Sequence, residues 1–440
     1  MDRSMLNLTM LATFCVLVVI ICIGVLLAFT IGDTLKPTAV FGADHDSGEF
    51  ADGTGGPTMT TADPVHQETV VPLLVLPMST REQASAPGLL TSRLPKIPKR
   101  RTTRRSGMMF CVVGENFVHP EVFSLSFCDY AIYPNLVAED GDFLPLYGNK
   151  SWQTFKKAIA SNRNVASGLS FSVNGVSEQR STVSSIPDMY VQLMELVYTM
   201  NVSAMGVLDF PRHRSVSTNT LQSMFATLAK VLTVQHHAEP MTFLGVWLHT
   251  AKLARSFVYE VSTMTDVNMI ILQTHVSESL VSEGPCVSFP ISMTSPNQNR
   301  QLPNFEIAKQ AAASLRARGD KFRVLFSSTL GVMVYAGALH SAEPSSAHKA
   351  CEKAYMVDSD FTCRGNLSYT KEIYDEKGMY AYYAYQSDGR PYFVTLETSK
   401  SLQDKMDLYI ADVSDGWALF EVQRDVWKPC GRGKGYVRLE

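Results

Sequence analysis

From about Gly107 to Glu440, short apolar runs alternate with amphipathic helical patterns, and few folds accept that order. The candidate strands are Met108–Val113, Phe127–Tyr133, Gly168–Val173, Met205–Phe210, Thr242–Leu248, Val267–Leu272, Arg323–Ser328 and Trp417–Val422. Between them, Ser185–Met200, Leu221–Val234 and Phe305–Ala317 repeat apolar residues at i, i+3, i+4 and i+7, the stripe by which a helix covers a sheet. A strand, a covering helix and the next parallel strand form one βαβ unit, so the pattern predicts an α/β body. Its length suits one (β/α)8 barrel with an insertion. Periodicity by itself also admits other α/β arrangements.

Ahead of this body the chain changes character twice. Met10 to Ile31 is an uninterrupted apolar run without a charge. At about 1.5 Å per helical residue it spans a hydrocarbon core of about 30 Å. It is longer than the h-region of a cleaved signal peptide, and Ala28-Phe29-Thr30-Ile31-Gly32 is a poor cleavage site. We therefore read residues 10–31 as a signal anchor behind a short cytosolic tail, residues 1–9. Residues 32–106 read as a disordered stalk, rich in Gly, Pro, Ser, Thr and Asp from Asp44 to Pro64. The stalk ends in Lys99-Arg100-Arg101-Thr102-Thr103-Arg104-Arg105. Arg101, Arg104 and Arg105 form a pattern that a proprotein convertase could cut, releasing the body, or a solvated basic linker.

Flanking charges leave orientation open, since Arg3 is balanced by Asp2 and Lys36 by Asp33. Cysteines and sequons decide it. Cys15 and Cys22 lie inside the apolar run, leaving Cys111, Cys128, Cys286, Cys351, Cys363 and Cys430, an even number suited to an oxidised ectodomain. No CxxC pair occurs, which gives a zinc site little support. Asn149, Asn201 and Asn366 open glycosylation sequons, meaningful on the luminal side. The expected arrangement is a type II single-pass membrane protein with a luminal or extracellular body. With 39 basic and 42 acidic residues the chain is nearly neutral, which argues against a nucleic-acid partner.

Several segments, in order, resemble glycoside hydrolase family 18, the chitinases and chitinase-like lectins. Cys128-Asp129-Tyr130-Ala131-Ile132-Tyr133 looks like the family's CTHLIYA segment, and Ser172-Val173-Asn174-Gly175 like its SxGG signature with one glycine replaced. Ile271-Leu272-Gln273-Thr274 stands at its MxYD, and Ser401-Leu402-Gln403-Asp404-Lys405 is close to its lysine-bearing helix. Gly416-Trp417-Ala418-Leu419-Phe420 resembles its last strand, with Phe420 in place of the Trp that floors the sugar pocket; Asp425 and Cys430-Gly431-Arg432-Gly433 follow where the family has an acid and a Cys-x-x-Gly. The resemblance implies an eight-stranded barrel with a small α+β insertion between strands seven and eight, at about residues 340–395. It also implies a Cys111–Cys128 bridge. Cys363 or Cys351 would join Cys430 and the other Cys286, a choice that stays open.

The same resemblance locates a loss. The family carries DGxDxDxE at the end of its fourth strand, with the Glu as proton donor. Here that stretch reads Met205-Gly206-Val207-Leu208-Asp209-Phe210-Pro211-Arg212. Gly206 on the motif glycine puts Arg212 at the acid; Asp209-Phe210 on the Asp-aromatic pair puts Pro211 there. Neither side chain can protonate a leaving glycosidic oxygen near neutral pH. Family 18 chemistry uses the substrate's own acetamido oxygen as nucleophile, so this Glu and its neighbouring Asp carry the protein's share. A positioned general acid contributes about 10²–10⁴ in rate. The expectation is a non-hydrolytic chitinase-like protein, without a cofactor, binding chitin or other N-acetylglucosamine-containing glycans. Asp209, Phe210, Gln273, Phe420 and Glu421 are the candidate ligand contacts. Arg212 could pair with Asp209 across the mouth, and Trp417 should face the helices, three residues from Phe420.

Three other readings have some footing. Glu115 and Glu421 lie near strand ends, where a relocated acid would restore hydrolysis. A protein-binding or signalling ectodomain would need no sugar. Asp358-Ser359-Asp360 and Asp140-Gly141-Asp142 match the DxD of metal-dependent glycosyltransferases, a pattern chance supplies often. GxSxG, HExxH and a phosphate-cradling glycine loop are absent from the sequence.

Overall fold

The computed structural model describes residues 107–425, apart from 115–116, 119–124, 147, 163, 174–180, 211–215, 235–240, 283, 297–301, 320, 342–345, 364–369 and 411. The expected anchor, stalk and processing residues fall outside the described residues, as do Glu115, Pro211, Arg212, Asn366 and Cys430. No helix among the described residues is long and apolar enough to cross a membrane.

Eight parallel strands close into a barrel. In spatial order they are β1 (Met108–Val112), β2 (Tyr130–Glu139), β4 (Ala166–Phe171), β5 (Val202–Phe210), β6 (Met241–Trp247), β7 (Met269–Gln273), β8 (Arg323–Thr329) and β14 (Gly416–Phe420), and β14 pairs back onto β1. Each lies within a few residues of an expected strand. A short β3 (Asp142–Pro145) folds back antiparallel on the overhanging end of β2.

Alternation along the strands divides the core in two. Phe110, Ile132, Ala204, Leu208, Phe243, Ile271, Leu325 and Ala418 fill the barrel. Their neighbours face outward to the covering helices, which include α1 (Asn149–Ser161), α2 (Tyr190–Met200), α3 (Thr218–Val234), α4 (Ala251–Ser262), α6 (Phe305–Arg316) and α7 (Ser399–Tyr409), whereas the short α5 (Glu278–Ser282) packs in a separate cluster. The apolar stripe of α3, from Leu221 through Phe225 and Leu228 to Leu232, is buried along its length, as its 3.6-residue period requires. Trp417 takes the helix side, near Phe305 and Phe326, and its Nε1–H donates to Ser328 Oγ at 3.2 Å.

Between β8 and α7 the chain builds a separate antiparallel sheet in the order β10 (Lys353–Val357), β9 (Val332–Ala336), β13 (Arg390–Leu396), β12 (Tyr380–Ser387) and β11 (Ile373–Asp375). It opens at Val332, ahead of residue 340, because only Leu330-Gly331 separate the end of β8 from β9. One face packs on Val276, Leu280, Phe289, Ile291 and Met293, from α5 and the chain around it. A Cys286–Cys351 disulfide fastens the same region, and Cys111–Cys128 joins β1 to the start of β2. Of the open alternatives for Cys286, the structure selects Cys351; Cys363 is disulfide-bonded as well.

Candidate functional site

The carboxyl ends of the barrel strands form the mouth, where barrel enzymes place their chemistry. At the end of β5 the register against β6 slips between Val207 and Phe210, after which Phe210 leaves the alternation. Leu208 points into the barrel core and is almost fully buried. Asp209, next to it, turns toward β4. There Ser172 Oγ–H donates to its Oδ2 at 2.7 Å and Val173 N–H to its Oδ1 at 3.0 Å. Burial pushes the Asp209 carboxyl above its usual range, and those two donors oppose the rise. Phe210 packs against the layer between barrel and helices. Gly206 has no room for a side chain: a Cβ would lie 1.8 Å from the Phe243 carbonyl oxygen on β6.

The end of β7 lies across the same mouth. Gln273 Nε2–H donates to the Leu208 carbonyl on β5, reaching past Gly245 of β6, where a Cβ would come within 2.9 Å of Leu208 Cα. Gln273 thereby satisfies a backbone carbonyl where the β5–β6 register slips. Beyond Gln273, Thr274 exchanges hydrogen bonds with the Ser327 backbone of β8, and Thr274 N–H donates to Ser327 Oγ at 2.9 Å. His275 Nδ1 lies 2.8 Å from the same Oγ, and its ring lies 4.6 Å from that of Phe420. Burial, then the charge of Lys405, lowers His275 to about 3, so the imidazole is neutral at physiological pH. By residue type this is a hydroxyl and a base. Yet Ser327 is fully buried and His275 nearly so, and an attacking oxygen must reach its substrate.

At the end of β14, Phe420 is half-buried against the barrel core. Glu421 follows with left-handed backbone, φ 54°, and its Oε2 accepts from Gln423 Nε2 at 2.7 Å and Arg424 Nε at 2.9 Å. Gln423 returns a bond, its Oε1 accepting from Gly114 N–H at 2.6 Å after β1. Arg424 also meets Asp358 of the inserted sheet at 3.1 Å, and Ser359 Oγ–H donates to the Arg424 carbonyl at 2.8 Å. Glu421 thus holds the final loop together, and Asp358-Ser359 belongs to the same junction. Asp140 and Gly141 of the other DxD have positive φ and form the β2–β3 turn. Asn149 is exposed at the first residue of α1, and Asn201 is exposed in the left-handed cap of α2.

Some residues that shape this region escaped the sequence reading. Trp247, at the end of β6, is half-buried between the mouth and the inserted sheet. Lys405 of α7 is fully buried, with Nζ at 2.5 and 2.7 Å from the Glu397 carboxylate and 2.6 Å from Ser292 Oγ. Ser401 Oγ–H donates to the same carboxylate at 2.6 Å. Burial lowers the Lys405 amine and Glu397 opposes it. The one sequence signal for Lys405 is the resemblance of Ser401-Leu402-Gln403-Asp404-Lys405 to the family's lysine-bearing helix, which names no carboxylate partner.

No family model and no curated protein matches the sequence. Solved structures do share its fold. A glycoside hydrolase family 18 N-acetylglucosaminidase from Paenibacillus barengoltzii is 11% identical over 72% of this chain and 96% of its own, with a TM-score of 0.53. A family 18 chitinase from Cycas revoluta, complexed with allosamidin, is 10% identical over 72% and 96%, with a TM-score of 0.55. Human YKL-39, described as a pseudo-chitinase with retained chitooligosaccharide binding, is 15% identical over 75% and 96%, with a TM-score of 0.55. The fold is that of the family 18 chitinases and chitinase-like proteins.

Proposed function

We propose that this chain is a non-hydrolytic chitinase-like protein that binds N-acetylglucosamine-containing glycans at the barrel mouth. The observation that carries it is the end of β5. Leu208 fills the barrel interior, and Asp209, the acid that follows, is engaged by Ser172 and Val173. The chain then continues into Pro211-Arg212, where neither alignment supplies a proton donor. Glu421, the described alternative acid, is tied to Arg424 and Gln423. Sugar binding asks less than hydrolysis: an apolar surface and a few oriented polar groups. Phe420, Trp247, Gln273 and Asp209 stand at the carboxyl ends of β14, β6, β7 and β5 and are the candidates to supply them. We place the protein at the cell surface or in a luminal compartment, held by residues 10–31 and shed if convertases cut near Arg101–Arg105; the sequons and even cysteine count support this.

Ligand-observed NMR of the full-length protein with chito-oligosaccharides tests the reading. Saturation transfer without new anomeric signals is the expected result. New anomeric signals that scale with protein would sink the non-hydrolytic assignment and direct attention to Glu115. Silence on both counts would leave a protein-binding ectodomain as the better description.

A further inference from the structure

The second face of the inserted sheet is buried over most of its extent and open at one end. Strand register puts Tyr355, Val334, Val394 and Tyr383 in one row across it and Lys353, Ala336, Tyr392 and Tyr385 in the next. Val334, Val394 and Tyr383 are buried, whereas Tyr355, Tyr385 and Tyr392 are half-exposed and Lys353 is exposed. With strands about 4.8 Å apart, the open row is about 14 Å long, enough for more than one sugar ring.

The tyrosine hydroxyls at this end differ from others on the sheet. Tyr383 donates to Glu372 at 2.8 Å and Tyr374 to Asp404 at 2.6 Å. Those of Tyr355, Tyr385 and Tyr392 have no hydrogen-bond partner among the described residues. Tyr385 and Tyr392 stack with centroids 5.0 Å apart and planes 10° from parallel. Both side chains are part-exposed at this end of the sheet. Ring packing accounts for two aromatic side chains on a hairpin. It does not account for three hydroxyls gathered at one end with no partner among the described residues.

The surrounding charges narrow the ligand. Lys353 Nζ lies 5.3 Å from the Tyr355 ring, and Arg390 pairs with Glu352 at 2.8 Å, so these three charged groups sum to +1. An oxyanion needs donors alone and would be repelled by Glu352. A sugar hydroxyl both donates and accepts, which suits tyrosine hydroxyls set between an ammonium and a carboxylate. A protein partner would call for an apolar interface core that these polar edges do not offer. We propose that the Lys353–Tyr385 end of the inserted sheet is a second carbohydrate-binding surface, separate from the barrel mouth, for a neutral pyranose chain.

The test uses full-length protein and calorimetric titration with four-sugar chains of N-acetylglucosamine and of glucose, with heparin as a sulfated probe. The triple variant Tyr355→Phe, Tyr385→Phe, Tyr392→Phe keeps the rings and removes only the hydroxyls. It should weaken binding of at least one neutral chain by about tenfold or more, the order expected for losing hydrogen bonds, with the thermal midpoint unchanged. Phe420→Ala should leave that component intact. Loss on Phe420→Ala with none on the triple variant overturns the sheet site and keeps the mouth; the reverse keeps the sheet site and sinks the mouth. Binding of heparin alone, or of neither neutral chain, overturns the proposal.

Discussion

His275 is held neutral in the folded protein at about 3, against an ordinary 6.5. A base with a depressed folded-state value gives stability that is complete above pH 6.5 and is lost as pH falls from there toward 3. The loss rises to at most about 1.4 kcal/mol per pH unit. Urea unfolding of wild type and His275→Gln between pH 7 and 4.5 should therefore give converging curves, the wild type losing its advantage on acidification. Parallel curves would contradict the assignment. Lys405 and Glu397 make a different demand, because each is fully buried and each neutralises the other. Lys405→Met leaves a carboxylate without its counter-charge in the core and should cost about 3–5 kcal/mol. Adding Glu397→Leu should return much of that loss, since a well-packed apolar pair replaces a buried ionic one at little net cost. A double variant no more stable than the single would show that the pair is not the source.

At the scale of the strand, β5 shows what patterning reveals and what it hides. The apolar run Met205–Phe210 marked it as a strand, and alternation should then have sorted its side chains into two faces. The register slip after Val207 defeats that sorting only at the strand's end: Leu208 keeps the inward face of Ala204, Asp209 reaches β4, and Phe210, due inward, packs on the helix side. No residue type announces such a slip, so the sequence put Asp209 and Phe210 together as mouth residues and missed the Gln273 bond to Leu208. His275 escaped for a related reason. One histidine in a mixed run carries no periodic signal, and its meaning comes from Ser327 on the neighbouring strand. Gly206 was legible as a motif glycine, and the structure supplies the physical cause in the Phe243 carbonyl. Because the opposing atom is backbone, Gly206→Ala must push β5 and β6 apart. The cost should reach the upper end of about 1–3 kcal/mol for overpacking. A denaturation midpoint equal to wild type would show that the strands yield without penalty.

At the scale of the body, the alternation of apolar runs and helical stripes made an α/β body legible, and the ordered resemblance of its segments to family 18 narrowed that to an eight-stranded barrel. How the inserted sheet is fastened was not legible, because its fasteners come from distant parts of the chain. Arg424 meets Asp358, Lys405 binds Ser292 and Glu397, and Cys286 is bonded to Cys351; only the cysteines were visible beforehand, with their pairing open. The disulfides should differ in weight. Cys286 and Cys351 are 65 residues apart and Cys111 and Cys128 only 17, so the loop-closure model assigns about 4 kcal/mol to the first and about 3 kcal/mol to the second. Location separates them further. Cys111–Cys128 lies within the barrel, where β1 and β2 are already hydrogen-bonded neighbours, whereas Cys286–Cys351 ties a loop to the approach to β10, an edge strand paired only with β9. Replacing Cys286 and Cys351 by Ala should therefore lower the urea midpoint more than replacing Cys111 and Cys128. It should also speed tryptic cleavage at Lys353, Lys371 and Lys377 before any cut in the barrel strands. Equal cleavage rates in the two double variants would mean that Arg424 and Lys405 hold the inserted sheet without the disulfide.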